Sequence, residues 1–318
     1  MRLKFVSEII SLPYIMDNII LIFVCLFAGI ALQRVKAVPA NAHTALNQFV
    51  INISLPALAL YYIPKIEISS KLLYPLGAGW IGFLLAWAFF GGLGKWLGWP
   101  KRLIGCLILT GGLSNTSFVG FPIIEALYGK KGLETAIIVD QPGTFVVIAT
   151  LGIVVAVAYS KDVTGASSLF KKILVFPPFV AFFIGTVMNI CGYDFADIVQ
   201  SVFQKLSTTV TPVALVAVGL QLKIQRRNKH WGFLSLGLFY KLILMPAVLL
   251  LLYKVILGGK GMEIEVSIME AAMAPMISAA ILASSHGLKP KLAGMMIGVG
   301  IPLSFITLAF WYYILNTF

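Results

Sequence analysis

Asp140 and Glu270 are carboxylic acids set deep within long apolar runs, and each has a proline nearby, Pro142 for the first and Pro275 for the second. An ionisable group in hydrocarbon costs about 2.5–3.5 kcal/mol on insertion scales, so such residues mark ion or substrate pathways by default. Asp140 lies nine residues past Lys131, or about 13 Å along a helix, which puts it near the middle of a bilayer. Carboxylate oxygens, joined by side chains of Asn115, Thr116 or Gln141 and by carbonyls freed where a helix unwinds, could cage a sodium ion. Desolvated, the same acids could carry a proton instead. The residues themselves leave Na⁺ and H⁺ both open.

Two segments interrupt apolar runs with a proline and small residues: Ser114-Asn115-Thr116-Ser117-Phe118-Val119-Gly120-Phe121-Pro122 and Glu270-Ala271-Ala272-Met273-Ala274-Pro275-Met276-Ile277-Ser278. Proline removes a backbone donor and clashes with the turn before it, so both helices are expected to unwind at Pro122 and Pro275. Unwound backbone survives in a membrane only where protein or a water-filled cavity surrounds it. A matched pair of such helices points to the binding site of a secondary transporter. Half-helices restarting there would aim N-terminal amides at an anion. The candidate substrate contacts are Asn115, Thr116, Ser117, Gly120, Pro122, Pro275 and, by symmetry, Ser278. The candidate coupling-ion residues are Asp140, Gln141 and Glu270.

The elements that must position them are transmembrane helices. The chain has 318 residues, 59% hydrophobic and 11% charged, with a mean hydropathy of +0.96; soluble domains carry about a quarter charged residues. Apolar stretches of spanning length, about 20 residues, follow one another. We read ten: Met16–Val35, Ala45–Ile63, Leu72–Leu97, Leu103–Tyr128, Leu133–Tyr159, Phe170–Ile190, Ile198–Leu222, Trp231–Tyr253, Ile264–Ser285 and Leu292–Leu315. The net charge of +12 sits mostly in short loops, which indicates membrane topology rather than a nucleic-acid partner. The loops on the side opposite the termini hold fourteen Lys and Arg against eight. That bias predicts non-cytoplasmic termini in a multi-pass protein of the plasma (inner) membrane. Cys25, Cys106 and Cys191 show no paired spacing and read as small core residues.

Prolines recur across the two halves. Pro56 pairs with Pro212, Pro122 with Pro275 and Pro142 with Pro302, at offsets of 156, 153 and 160 residues. Five spans per half is an odd number, so the second half would run inverted, the arrangement that supports alternating access. The expected domains are residues 1–159 and 170–318, two five-helix repeats, joined by a short cytoplasmic connection at 160–169.

The ordered set of motifs resembles the auxin efflux carrier family. Asn115-Thr116-Ser117-Phe118-Val119-Gly120-Phe121-Pro122 is similar to its Asn-x-x-Phe-x-Gly-x-Pro signature. Ser54-Leu55-Pro56-Ala57-Leu58, Asp140-Gln141 with Gly143-Thr144, Thr211-Pro212 with Gly219, and Glu270 to Pro275 resemble its other landmarks. The resemblance implies the ten-helix fold shared with bile-acid-type sodium symporters, with the broken helices, spans four and nine, crossing at the midplane. It also implies a scaffold of spans 1, 2, 6 and 7, a moving core of spans 3–5 and 8–10, and a homodimer through the scaffold. The prokaryotic branch is the nearer match, and it implies small carboxylates such as malate or malonate as substrates. By the same resemblance Glu270 and Asn115 are the positions where Na⁺ would bind.

No His-Glu-x-x-His motif and no Ser/His or Cys/His set lies at depth, which argues against a membrane-embedded enzyme. No cofactor is expected beyond the coupling ion, and the partners are the organic anion and the lipid bilayer. Lys205 lies near a span end and can snorkel to the headgroups. Lys241 lies deeper; its reading stays divided between snorkelling and offering a cation to an anionic substrate. The expectation is an all-α polytopic membrane protein acting as a secondary transporter of small organic anions. The alternatives are a sodium-coupled symporter of bile-acid type, or a channel or sensor for organic anions.

Overall fold

A computed structural model describes residues 2–39, 41–160, 176–222 and 231–317. Among them there is no strand, only one isolated antiparallel bridge. We label the helical runs α1 (Arg2–Leu32), α2 (Ala42–Lys65), α3 (Ser70–Trp96), α4 (Lys101–Gly112), α5 (Thr116–Tyr159), α6 (Pro177–Cys191), α7 (Asp197–Gln221), α8 (Trp231–Ile256), α9 (Met262–Ala271), α10 (Ile277–Ser285) and α11 (Pro290–Thr317). Six of these, α2, α3, α5, α7, α8 and α11, are long and apolar enough to cross a membrane. The protein is a polytopic all-α membrane protein. The connection at 160–169 lies outside the described residues from 161 on. So do Lys171, Lys172, Lys223, Arg226, Arg227 and Lys229, which carry much of the charge asymmetry.

Prolines shape these helices by widening them. Turns of π-helix occupy Val50–Ser54, Thr116–Gly120 and Tyr240–Leu244, each ending two residues before a proline: Pro56, Pro122 and Pro246. A fourth, Val139–Phe145, contains Pro142. One extra residue in the turn moves the carbonyl that would meet the proline ring, so the clash is relieved without unwinding. The freed groups then find partners: Thr144 Oγ1 donates to Val139 O at 3.2 Å, and Trp80 Nε1 donates to Pro142 O at 3.2 Å. The expectation that Pro122 marks a break is therefore corrected. The break comes earlier, after Gly112, where Leu113 turns extended (φ −115°, ψ 131°). Pro122 instead sits inside α5, two residues past the π-turn Thr116–Gly120 that accommodates its ring. The second break, after Ala271, does hold its proline, at Pro275. A further interruption falls at Gly129, whose φ of 65° and ψ of −163° suit glycine and divide α5.

The described chain forms two compact units. The first draws on Met1–Glu67, Ser117–Glu134 and Val180–Leu222. Within it α1 and α7 approach at backbone distance: a Cβ on Gly29 would lie 2.3 Å from Val216 O, and one on Gly219 would lie 2.3 Å from Leu26 O. Only glycine permits that contact, the usual device where helices meet without a hydrophobic driving force. Gln33 Nε2 donates to Gly219 O (2.7 Å) and Leu222 O (3.1 Å), meeting carbonyls at the end of α7. Asn189 does the same for α2, its amide nitrogen lying 2.8–2.9 Å from the carbonyls of Ile63, Pro64 and Ile66. Cys25 is buried in this unit, whereas Cys191, at the end of α6, is exposed and is no core residue.

The second unit draws on Ile68–Thr116, Thr135–Phe179 and Lys223–Phe318. Its core is formed by α3 against α4, with glycines again at the contact. A Cβ on Gly112 would meet Ala86 Cβ at 2.9 Å, and where α3 also meets α5, one on Gly79 would meet Thr144 N at 2.8 Å. Trp311 Nε1 donates to Leu242 O at 2.8 Å and ties α11 to α8.

Candidate substrate and ion site

The two unwound segments of the second unit pair with each other. Asn115 N donates to Ala274 O at 2.8 Å, and Met276 N donates to Leu113 O at 3.0 Å. These bonds make Ser114 and Pro275 the opposed residues of an antiparallel bridge. Buried backbone must find partners; here each break supplies them to the other. Four helix ends therefore meet around one short crossing. The chain arrives from the C-termini of α4 and α9, which carry partial negative charge, and leaves into the N-termini of α5 and α10, which carry partial positive charge.

Polar side chains surround the crossing, and the π-turns present several of them. Asp140 and Gln141 lie in the Val139–Phe145 turn, Thr116 opens the Thr116–Gly120 turn, and Lys241 lies in the Tyr240–Leu244 turn. Thr116 Oγ1 donates to Asp140 Oδ1, and Gln141 Nε2 donates to Asp140 Oδ2 at 2.7 Å. Asn115, Thr116, Asp140 and Gln141 are all buried. Glu270, in the last turn of α9, is wholly buried, and neither carboxylate oxygen has a hydrogen-bond partner among the described residues. It lies within electrostatic reach of Asp140 and Lys241. The unit thus gathers two buried carboxyl groups, one buried amine and the amide and hydroxyl groups of Asn115, Thr116 and Gln141. Buried charges of this kind need compensation close at hand.

Lys241 is the participant that the sequence reading left undecided. It is 0% exposed, which rules out snorkelling. Nζ donates to Ser114 Oγ at 2.5 Å and Ala271 O at 2.7 Å, with Met245 Sδ at 3.3 Å. It therefore links the two breaks. A signal was present: Lys241 precedes Pro246 by five residues, the same spacing that separates Glu270 from Pro275.

The remaining candidates are placed differently. Ser278, in the first turn of α10, is exposed. Ser117, Gly120 and Pro122 belong to the first unit, where Gly120 and Pro122 are buried and Ser117 is half-buried. That unit holds a separate polar cleft. There Thr211 Oγ1 donates to Glu125 Oε2 at 3.0 Å, among Tyr62, Lys130, Gln204 and Ser207. Lys205 shares in neither cluster; its helix, α7, places it on the exposed face.

Residues 13–312 match the family described as Membrane transport protein. Two archaeal proteins, both described as uncharacterized transporters, align over nearly their whole lengths. The one from Methanothermobacter thermautotrophicus is 25% identical over 307 residues, covering 93% of this chain and 96% of its own. The one from Methanocaldococcus jannaschii is 26% identical over 311 residues, covering 94% and 98%.

Proposed function

Because the chain belongs to the membrane transport protein family, that of the auxin efflux carriers, we propose that it is a secondary active transporter of small organic anions, working by alternating access. The substrate class is a mono- or dicarboxylate such as malate or malonate. The observation that carries this reading is the crossing itself. Two unwound segments are hydrogen-bonded to each other in the interior, where helix N-termini suit a carboxylate and buried acids suit a cation.

In this reading the chain has ten spans in two inverted repeats. The apolar stretch Asp17–Leu32 of α1, the shorter helix α6, and the paired half-helices α4 with the start of α5 and α9 with α10, complete the count. Spans 1, 2, 6 and 7 are the scaffold, through which two copies pair. The rest form the moving core. The grouping of α1, α2, most of α6 and α7 in one compact unit supports that division in part, since the same unit also takes in Ser117–Glu134, which this reading gives to the core. Asn115 and Thr116 contact the substrate at the crossing, and Asp140, Gln141 and Glu270 hold the coupling ion, H⁺ or Na⁺. A cation held beside Glu270 would add charge compensation to a carboxylate that accepts no hydrogen bond among the described residues, and its release would leave that charge less compensated. Binding of ion and anion would be coupled through that charge. The protein would lie in the plasma (inner) membrane with both termini on the non-cytoplasmic side.

The test is uptake of labelled malate by proteoliposomes under an imposed sodium gradient, a proton gradient or neither, with unlabelled carboxylates as competitors. Uptake driven by one gradient and competed by a subset of the panel is expected. Flux without saturation or counterflow would indicate a channel and refute the carrier reading.

A further inference from the structure

We propose that the Lys241 ammonium is a tethered cation occupying the cation position at the crossing of the two unwound segments, so that the protein works without sodium there. The inference rests on the reading of this crossing as the transport site. Three observations carry it. The groups that touch Nζ are of the kind from which a site for a free cation would be built, the Ser114 hydroxyl and the Ala271 carbonyl, with the Glu270 carboxylate within electrostatic reach. Three acceptors surround Nζ, namely two oxygens and the Met245 sulfur, and an ammonium has three protons to give them. Finally, α4 ends at Gly112 and α9 at Ala271, so two C-terminal helix ends converge where this positive charge stands.

A lysine that merely braced the breaks would have the same neighbours, so the test needs a readout that bracing does not move. That readout is cation-specific rescue. Removing the side chain should leave an empty position lined by the Ser114 and Ala271 oxygens and within electrostatic reach of Glu270, which a small cation can then fill. Ligands that bind only the folded state raise its stability in a saturable way. The unfolding temperature of purified wild-type protein, Lys241→Ala and Lys241→Ala/Glu270→Gln is measured as sodium chloride replaces choline chloride at constant ionic strength.

Wild type should not respond to sodium. Lys241→Ala should start lower and gain roughly 2 °C or more on sodium addition, saturably, and the double variant should lose that gain. Lys241→Gln, which keeps a donor for Ala271, is measured alongside in case the alanine variant does not fold, with the same expectation. Saturable stabilisation of wild type by sodium would overturn the proposal, because the position would then be free. So would indifference of both Lys241 variants to sodium. These measurements need no substrate, so they decide the point even if malate is not the anion carried. Uptake assays then test the transport reading separately.

Discussion

Gly300 and Gly294 lie in the same helix, α11, and the same substitution should have opposite effects at the two positions. A Cβ on Gly300 would stand 2.7 Å from Pro275 Cδ, 3.1 Å from Pro275 Cγ and 2.9 Å from Leu238 Cδ2. Ordinary contact between such carbons begins near 3.5 Å, so Gly300→Ala must displace the proline by somewhat under an ångström. Pro275 belongs to a rigid ring whose backbone is hydrogen-bonded into the crossing, and it cannot yield by rotating a side chain. Overpacking of this kind costs about 1–3 kcal/mol. Gly294 has nothing within 4 Å of a built Cβ, so alanine there should add about 0.5–1 kcal/mol through helix propensity. The two effects have opposite signs, so the expected gap between the variants is about 1.5–4 kcal/mol. Thermal unfolding of the purified proteins checks it. The displacement of Pro275 should also lower malate uptake by Gly300→Ala about tenfold or more, since misplacements of this size disturb a positioned site. Equal stabilities for the two variants, or normal uptake by Gly300→Ala, would show that the proline is not held as described.

Three further outcomes follow from the site and the packing. Asn115→Ala should abolish flux while folded protein is recovered in near-normal yield, as judged by gel filtration; ordinary transport kinetics would remove Asn115 from the substrate site. Glu270→Gln should make uptake insensitive to whichever cation gradient drives the wild type, and a full remaining response would exclude Glu270 as the coupling group. Gly219→Leu should cost about 3 kcal/mol or more, because its Cβ would meet Leu26 O at 2.3 Å and backbone cannot step aside. Recovery of that variant with unchanged unfolding temperature would refute the close approach of α1 and α7.

Much of the architecture was legible from the chain. Long apolar runs announced a polytopic helical protein, and the family resemblance held over residues 13–312. Both breaks were legible as regions, since small polar residues interrupting an apolar run have few other uses. Their positions were only half legible. Reading proline as the point of unwinding placed the second break well and the first seven to nine residues too late, because a π-turn accommodates Pro122 and leaves Leu113–Asn115 to unwind. Asp140, Gln141, Asn115 and Thr116 gather near the crossing, and Ser278 lies in the first turn of α10 with its side chain exposed. Lys241 escaped a decision because depth in a span shows that a lysine is costly but not what satisfies it. Its partners come from segments 127 and 30 residues away.

The π-turns have a consequence for evolution along the chain. Successive residues of an α-helix are separated by about 100° around the axis, and each widened turn adds one residue to the count without adding a turn. The inserted residue therefore resets the phase of everything beyond it. A helical wheel drawn through Val139–Phe145 assigns the residues after Pro142 to the wrong side, and a one-residue deletion there would rotate the rest of α5 while leaving its composition untouched. Among relatives, a gap of one residue at such a turn should count as a rotation of the helix rather than a trimmed loop.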